Sequence, residues 1–418
     1  MGLKWLTIYI IMFANILSVQ ADSSYFQKLI SEAEDKDVAE ISIKLLDEYL
    51  SQSQNTNLKE LAEFNFLIAK QFYRQKEYLE SLSFLLKSRE QVIKHGDLRK
   101  LECEIIYQSA LINYFMNNFT EAQKQFELAL LIAKELNETR KVISCVFNIG
   151  LAFRNQGKYE ASTEKFFECL ELAKKNNMSE KISSCLNELG WNSEDIGDLE
   201  MASRLYYESG QVSGISQESI AISELNLGHV NLVQNNYRRA IVLLLQAEKR
   251  INENYLFTYV PILNSLGRSY YHLKLYDSAL FHLNKAFHLN LPDSSNMAYH
   301  PAELRESYQY LRLVAEAKEG KYLLTDLGVV EKMAEYNSNL MVNLNDVEKA
   351  NAQLMIQDYE NGLMNEKLES NYLIWVAIAS VLVIAMLIWG VVVYYARKRK
   401  RDSYKSLLDE IDQSLINH

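Results

Sequence analysis

A small residue followed nine positions later by a bulky ring recurs along this chain at a nearly constant interval. That recurrence limits the fold more than any other feature. Ala69 and Tyr78, Ala110 and Phe119, Gly150 and Tyr159, Gly190 and Leu199, Gly228 and Tyr237, and Gly267 and Tyr276 open units spaced 41, 40, 40, 38 and 39 residues apart, Leu199 being the one non-aromatic member. Twelve residues after each start stands a second small residue: Ser81, Ala122, Ser162, Ala202, Ala240 and Ala279. Nineteen after it stands a third: Ser88, Ala129, Cys169, Ser209, Ala247 and Ala286. A period of this length marks a supersecondary unit that buries its apolar face by stacking on its neighbours. Glycine inside a helix costs up to about 1 kcal/mol of propensity, a cost that is offset where the missing side chain lets a facing helix approach. Only 14 Gly and 3 Pro occur in 418 residues. Sandwiches, barrels and propellers, which use these residues at every turn, are therefore excluded, and an all-α chain is expected.

This frame resembles the tetratricopeptide repeat (TPR), two antiparallel helices per unit, over residues 58–290 in six units. Degenerate flanks are expected at 22–57, as a cap or a partial repeat, and at 291–339. The period is about six residues longer than the usual 34, which implies helices longer by most of a turn. Pro261 and Pro301 fit the first turn of a first helix. The fold class expected is an α-α superhelical solenoid, followed by a long helix and one transmembrane helix.

In such a solenoid the first helix of each unit lines a concave surface, and the resemblance carries that role onto particular residues. They are Tyr73 and Arg74 in the first unit, Tyr107, Tyr114 and Phe115 in the second, and Arg154 and Asn155 in the third. Trp191 follows in the fourth, His229 in the fifth, and Arg268, Tyr271 and His272 in the sixth. A groove of aromatic and mixed-charge side chains suits an extended peptide or a protein helix. A second reading has many of these rings merely padding neighbouring helices. The carboxylate-clamp pattern is absent, since its positions hold Phe66 with Lys70, Phe147 with Leu151, and Leu225 with His229.

Both ends of the chain are addressed to a membrane. Lys4, the apolar run Trp5–Leu17 and Val19-Gln20-Ala21 read as a secretory signal over residues 1–21, an uncleaved anchor being the alternative. Leu373 to Tyr395 is uncharged, and its helix would reach about 34 Å, enough to span a bilayer. Trp375, Trp389 and Tyr394 mark the interfaces of a segment 372–396, and Arg397-Lys-Arg-Lys-Arg401 follows. The topology expected is the inner (cytoplasmic) membrane crossed once, with the large domain periplasmic or otherwise extracytoplasmic and the tail 397–418 inside. The net charge is −10; residues 1–21 carry +1 and the tail +2, which leaves −13 on 22–370. A body this acidic argues against nucleic acid as a partner.

No reaction chemistry is legible. The turn Gly157-Lys158-Tyr159 fails the phosphate-loop pattern, and His272, His282 and His288 lack metal-ligand spacing. No metal, cofactor or catalysis is expected. Cys103, Cys145, Cys169 and Cys185 fall on packing positions, either as buried thiols or, for Cys169 and Cys185, as a bridge between units. Residues 340–371 read as a juxtamembrane helix, either pairing two copies as a coiled coil through 340–370 or standing alone in solvent. In the tail, Tyr404, Leu407, Leu408, Ile411 and Leu415 share one helical face, which suits anionic lipid or an extended dimer helix. The layout resembles that of membrane-anchored bacterial TPR regulators without their output domain, because a tail of 22 residues is too short for a helix-turn-helix or kinase module. A partner-binding sensor, a scaffold for an envelope assembly and a truncated relative of a TPR histidine kinase or helix-turn-helix regulator are the function classes left open.

Overall fold

A computed structural model describes residues 58–289 and 301–318 of the chain, with short stretches at 349–350 and 352–357 and single positions beyond. The leader, the flank 22–57, the span and the tail read from the sequence lie outside the described residues, apart from single positions. So does most of 291–339 and 340–371. The chain divides into two compact units, 1–352 and 353–418, and every helix named below belongs to the first. Among the described residues there is no strand and no helix long and apolar enough to cross a membrane.

Six helical hairpins follow one another: α1 (Leu58–Arg74) with α2 (Tyr78–His95), α3 (Arg99–Phe115) with α4 (Phe119–Glu135), and α5 (Thr139–Asn155) with α6 (Tyr159–Lys175). Then come α7 (Ser179–Asp195) with α8 (Leu199–Gly210), α9 (Gln217–Val233) with α10 (Tyr237–Arg250), and α11 (Leu256–His272) with α12 (Tyr276–Leu289). A further helix, α13 (Pro301–Ala317), packs on α12 and α11. Each helix packs on the one before and the one after, and first helices also meet first helices two places on, as α7 meets α9 and α9 meets α11. The first helices thus form the inner, more closely spaced row. The result is a TPR-like helical solenoid.

The repeat frame has a packing cause. The small residue that opens each unit faces a large buried side chain sixteen positions later. A β-carbon at Gly150 would lie 2.8 Å from the ring of Phe166, and one at Gly228 would lie 2.7 Å from Leu244. Where the opening residue is Ala110, the partner is Phe126, fully buried in the same cluster. Hydroxyls at the twelfth position bond to this same point: Ser81 Oγ donates to the Ala69 carbonyl at 2.7 Å and Ser162 Oγ to the Gly150 carbonyl at 2.9 Å.

The turns within hairpins are equally regular. Seven residues after each opening residue the backbone turns left-handed, at Lys76, Asn117, Gly157, Gly197, Asn235 and Lys274. At each, the next residue's N–H reaches back to a carbonyl five earlier, as Lys158 N does to Phe153 O at 2.9 Å, the bond that closes a helix end. Pro261 departs from its expected place. It lies inside α11, five residues past Leu256, because the 3₁₀ turn Glu253–Tyr255, with Asn252 accepting from Asn254 N at 3.0 Å, starts the helix earlier than the proline would. Pro301 opens α13.

Candidate functional site

The inner row of first helices presents three groups of side chains in chain order. The N-terminal group is aromatic. The ring of Phe115, at the end of α3, stacks on Tyr78 with centroids 5.9 Å apart and also meets Tyr73 at 6.0 Å and Tyr114 at 5.8 Å. Tyr114 leans on Phe119 as well, at 5.4 Å. Phe115 is half exposed while Tyr73 and Tyr114 are partly covered, and burial pushes the Tyr73 hydroxyl up to about 12. Arg74 is exposed at the last position of α1.

Neighbouring first helices are tied by an amide-to-phenol ladder. Asn148 Nδ2 donates to the Tyr107 hydroxyl and Asn155 Nδ2 to the Tyr114 hydroxyl, both at 2.9 Å and both across 41 residues. Tyr107 itself is largely covered, with Phe126 edge-on at 5.6 Å and Lys141 Nζ 4.0 Å above its ring. Burial pushes its hydroxyl up to about 12. Lys181 over Phe147, at 3.8 Å, repeats that arrangement one unit on.

The central group is charged. Arg154 on α5 donates to Glu188 at 2.6 Å, lies 3.5 Å from Asp195 and stacks its guanidinium 4.4 Å from the ring of Trp191, all on α7. Burial raises the Glu188 carboxyl while Arg154 pulls it back down. One turn on, Glu194 bonds His229 Nδ1 of α9 at 2.8 Å and accepts from the Tyr206 hydroxyl at 3.0 Å. Burial acts to raise Glu194, but His229 and Tyr206 outweigh it and hold the group below its ordinary value. Trp191 is 44% exposed.

At the C-terminal end the rings gather again. His272 stacks on Tyr237 with centroids 4.7 Å apart and planes 7° from parallel, and Tyr271 meets Tyr310 edge-on at 5.7 Å. Arg268 donates to Glu306 at 2.6 Å and lies 5.4 Å over Tyr310. Burial and the nearby Arg268 hold His272 below its ordinary value.

Eleven of the twelve residues read from the sequence lie in the three groups and the ladder between them, while Arg74 stands exposed at the end of α1. The first group joins Tyr73, Tyr114 and Phe115, the second Arg154, Trp191 and, through Glu194, His229, and the third Arg268, Tyr271 and His272. Tyr107 and Asn155 serve the ladder. Sequence reasoning missed Tyr78, Glu188, Glu194, Tyr237, Glu306 and Tyr310. The signal for Glu194 was available: it occupies the register of Arg154 one unit later, and the two point at one patch. Tyr310 gave no such signal, because α13 starts a unit whose frame is not legible. Among the described residues no group of His, Cys, Asp and Glu is arranged to hold a metal ion.

No family model matches this sequence. Response regulator aspartate phosphatase A of Bacillus subtilis (strain 168) is 30% identical over 110 residues, 26% of this chain, and the match spans just over a quarter of that relative (28%). Three solved structures are similar over most of the chain. The apo form of RapI has a TM-score of 0.58 at 15% identity, covering 78% of this chain and 90% of that one. The apo form of the quorum sensor NprR from B. thuringiensis has 0.51 at 15%, covering 82% and 93%. A signal transduction ATPase with a tetratricopeptide repeat sensor, PH0952 from Pyrococcus horikoshii, has 0.53 at 16%, covering 78% and 50%. At these identities the likeness concerns the fold, and the fold is that of a TPR-like helical solenoid.

Proposed function

We propose that this chain is a membrane-anchored, non-enzymatic binding module that takes a protein or peptide partner along its inner face and acts as a sensor outside the cytoplasm. The observation that carries the reading is the ordered series on the inner row. Exposed rings at Phe115, Trp191 and His272 stand on alternate first helices, α3, α7 and α11, with charged side chains between them. Open aromatic faces beside hydrogen-bonding groups are what an extended ligand needs for anchorage and register. Two solved structures with this fold are sensors, one a quorum sensor and one carrying the tetratricopeptide repeat sensor of a signal transduction ATPase. Membrane anchorage rests on the uncharged run Leu373–Tyr395 and the basic cluster behind it.

The test is photo-crosslinking in the native membrane, with a photoreactive phenylalanine at position 115, 191 or 272 of the full chain. Adducts of one common mass shift at all three, and none from position 207 on the outer row, are the expected result. Adducts from position 207 and none from the inner row would refute it. A scaffold differs in its use of the tail: deletion of 404–415 leaves a scaffold's assembly intact but silences a sensor that still binds its partner.

A further inference from the structure

The joints between units share one plan and differ in chemistry. At each, the residue seven before the opening position, the residue nineteen after it and the residue five before the next opening position fall together. Cys103, Ala129 and Cys145 do so in one apolar cluster, Ile143, Cys169 and Cys185 in a second, and Ala221, Ala247 and Ile262 in a third. At the fourth unit the same three places hold Ser183, Ser209 and Ser223, all buried. Ser183 Oγ lies 2.7 Å from Ser209 Oγ, and Ser223 Oγ donates to Ser209 Oγ at 3.0 Å. The hydroxyl chain runs on to Asn187, whose Oδ1 accepts from Asn226 at 3.3 Å.

Two independent features fall at the same joint. The helix α8 has 12 residues where the other second helices have 14 to 18. It is followed by residues 211–216, including Gly214 at φ +81°, whereas three residues make each earlier link between units. The apolar contact across this joint is also small: Ala202 and Tyr206 of α8 meet Val230 of α9, with Leu199 and Leu227 packed against them.

An interlocked apolar joint resists sliding because every contact is lost at once. A hydroxyl joint trades one partner for another. Ser223 Oγ has a single proton and three acceptors in reach: Ser209 Oγ at 3.0 Å, the Ser219 carbonyl at 3.1 Å and Asn187 Oδ1 at 3.5 Å. The contacts from α7 to α9 are polar at both ends as well, with Glu180 accepting from Ser219 Oγ at 2.6 Å and Glu194 bonded to His229. We infer that the joint between α8 and α9 is the hinge of the array. The helices α1–α8 and α9–α13 move as two halves by shear of α9 over α7 and α8, which opens or narrows the inner face between Trp191 and His229.

Distance distributions between spin labels on the outer row of the full chain test this, with labels carried on unnatural amino acids so that the four cysteines stay in place. Glu164 with Val242 spans two joints including the polar one, and Lys124 with Arg204, at the same register, spans two apolar joints. The Glu164–Val242 distribution is expected to be the broader by at least twofold. Replacing Ser183, Ser209 and Ser223 together by Ala should narrow it to the width of the control pair, with helical content unchanged. Equal widths in the native chain would overturn the hinge whatever the triple variant does, and so would a triple variant that folds and stays broad.

Discussion

Gly190 and the ring of Tyr206 are in direct contact: a β-carbon on residue 190 would lie 2.5 Å from Tyr206 Cε1. The ring cannot retreat, because it is fully buried and its hydroxyl is bonded to Glu194 at 3.0 Å. Gly190→Ala should therefore destabilise the chain by about 1–3 kcal/mol, the range for overpacking a tight core. At the equivalent place Ala110 coexists with Phe126, a ring with no hydroxyl to pin it. Tyr206→Phe should then recover part of the Gly190→Ala loss, read as a coupling in a double-mutant cycle of urea midpoints. Strict additivity would refute the pinning.

The frame of small residues was legible because close packing of helix backbones admits so few residue types. The sixteenth position, which completes the contact, was not. It holds Leu85, Phe126, Phe166, Tyr206, Leu244 and Leu283, since any large side chain fills the space a glycine leaves. Chemistry within the frame was hidden for a related reason. Ser183, Ser209 and Ser223 read as small residues like any others, and only their meeting in space makes them a hydrogen-bonded chain. The inner row itself was reached by resemblance. Its grouping was not, because Tyr78 and Tyr237 belong to second helices yet stack on Phe115 and His272 of the first.

The left-handed turn position offers a stabilising change. Lys274 holds φ at 60° in the turn between α11 and α12, where Gly157 and Gly197 serve in other units. A side chain there costs roughly 1 kcal/mol that glycine does not incur. Lys274→Gly should raise stability by about 0.5–1 kcal/mol, seen as a higher urea midpoint with an unchanged slope. A lower midpoint would mean that the lysine makes a contact worth more than the backbone strain.

The Arg154–Glu188 pair carries a pH signature. Burial raises the Glu188 carboxyl above its ordinary value, with Arg154 opposing. A carboxyl raised on folding favours the protonated form. Its ionisation therefore weakens the fold as the pH climbs from the ordinary glutamate value, about 4.3, through the raised one. Removing the guanidinium enlarges that penalty. Arg154→Gln should cost about 1–2 kcal/mol at pH 7.5 and clearly less at pH 5, where Glu188 is closer to neutral. Chemical denaturation at the two pH values measures the difference, and an equal cost at both would show that Glu188 does not titrate with the fold.

All four cysteines are free and buried. Burial pushes the Cys145 thiol up to about 12, and the hydrogen bond with Cys169, together with burial, pushes Cys185 up further. The same contact lowers the Cys169 thiol, but all four side chains are shut off from solvent, and a buried thiol reacts slowly. Iodoacetamide at pH 8 should modify none of them on the time scale of a free thiol, and all four once the chain is denatured without reductant. Two modified thiols in the denatured chain would reveal a bridge between Cys169 and Cys185.

On the proposed binding reading, the inner row separates into residues that hold the array and residues left open to a partner. Tyr107 is largely covered, bonded to Asn148 at 2.9 Å and packed on Phe126. Trp191, 44% exposed, touches the array through the Arg154 guanidinium. Tyr107→Ala removes a packed ring and should cost about 3 kcal/mol or more of stability. Trp191→Ala removes a ring stacked on a cation, which contributes about 1 kcal/mol at a part-exposed site. Binding should invert that order. A half-open tryptophan at the centre of a groove is a typical hot spot, whose truncation costs about 2 kcal/mol or more of affinity, some thirtyfold. Thermal denaturation and photo-crosslinking yield from position 115, compared in the Trp191→Ala background, read the two effects separately. A Trp191→Ala chain that melts early and still crosslinks in full would place the tryptophan among the residues that hold the array.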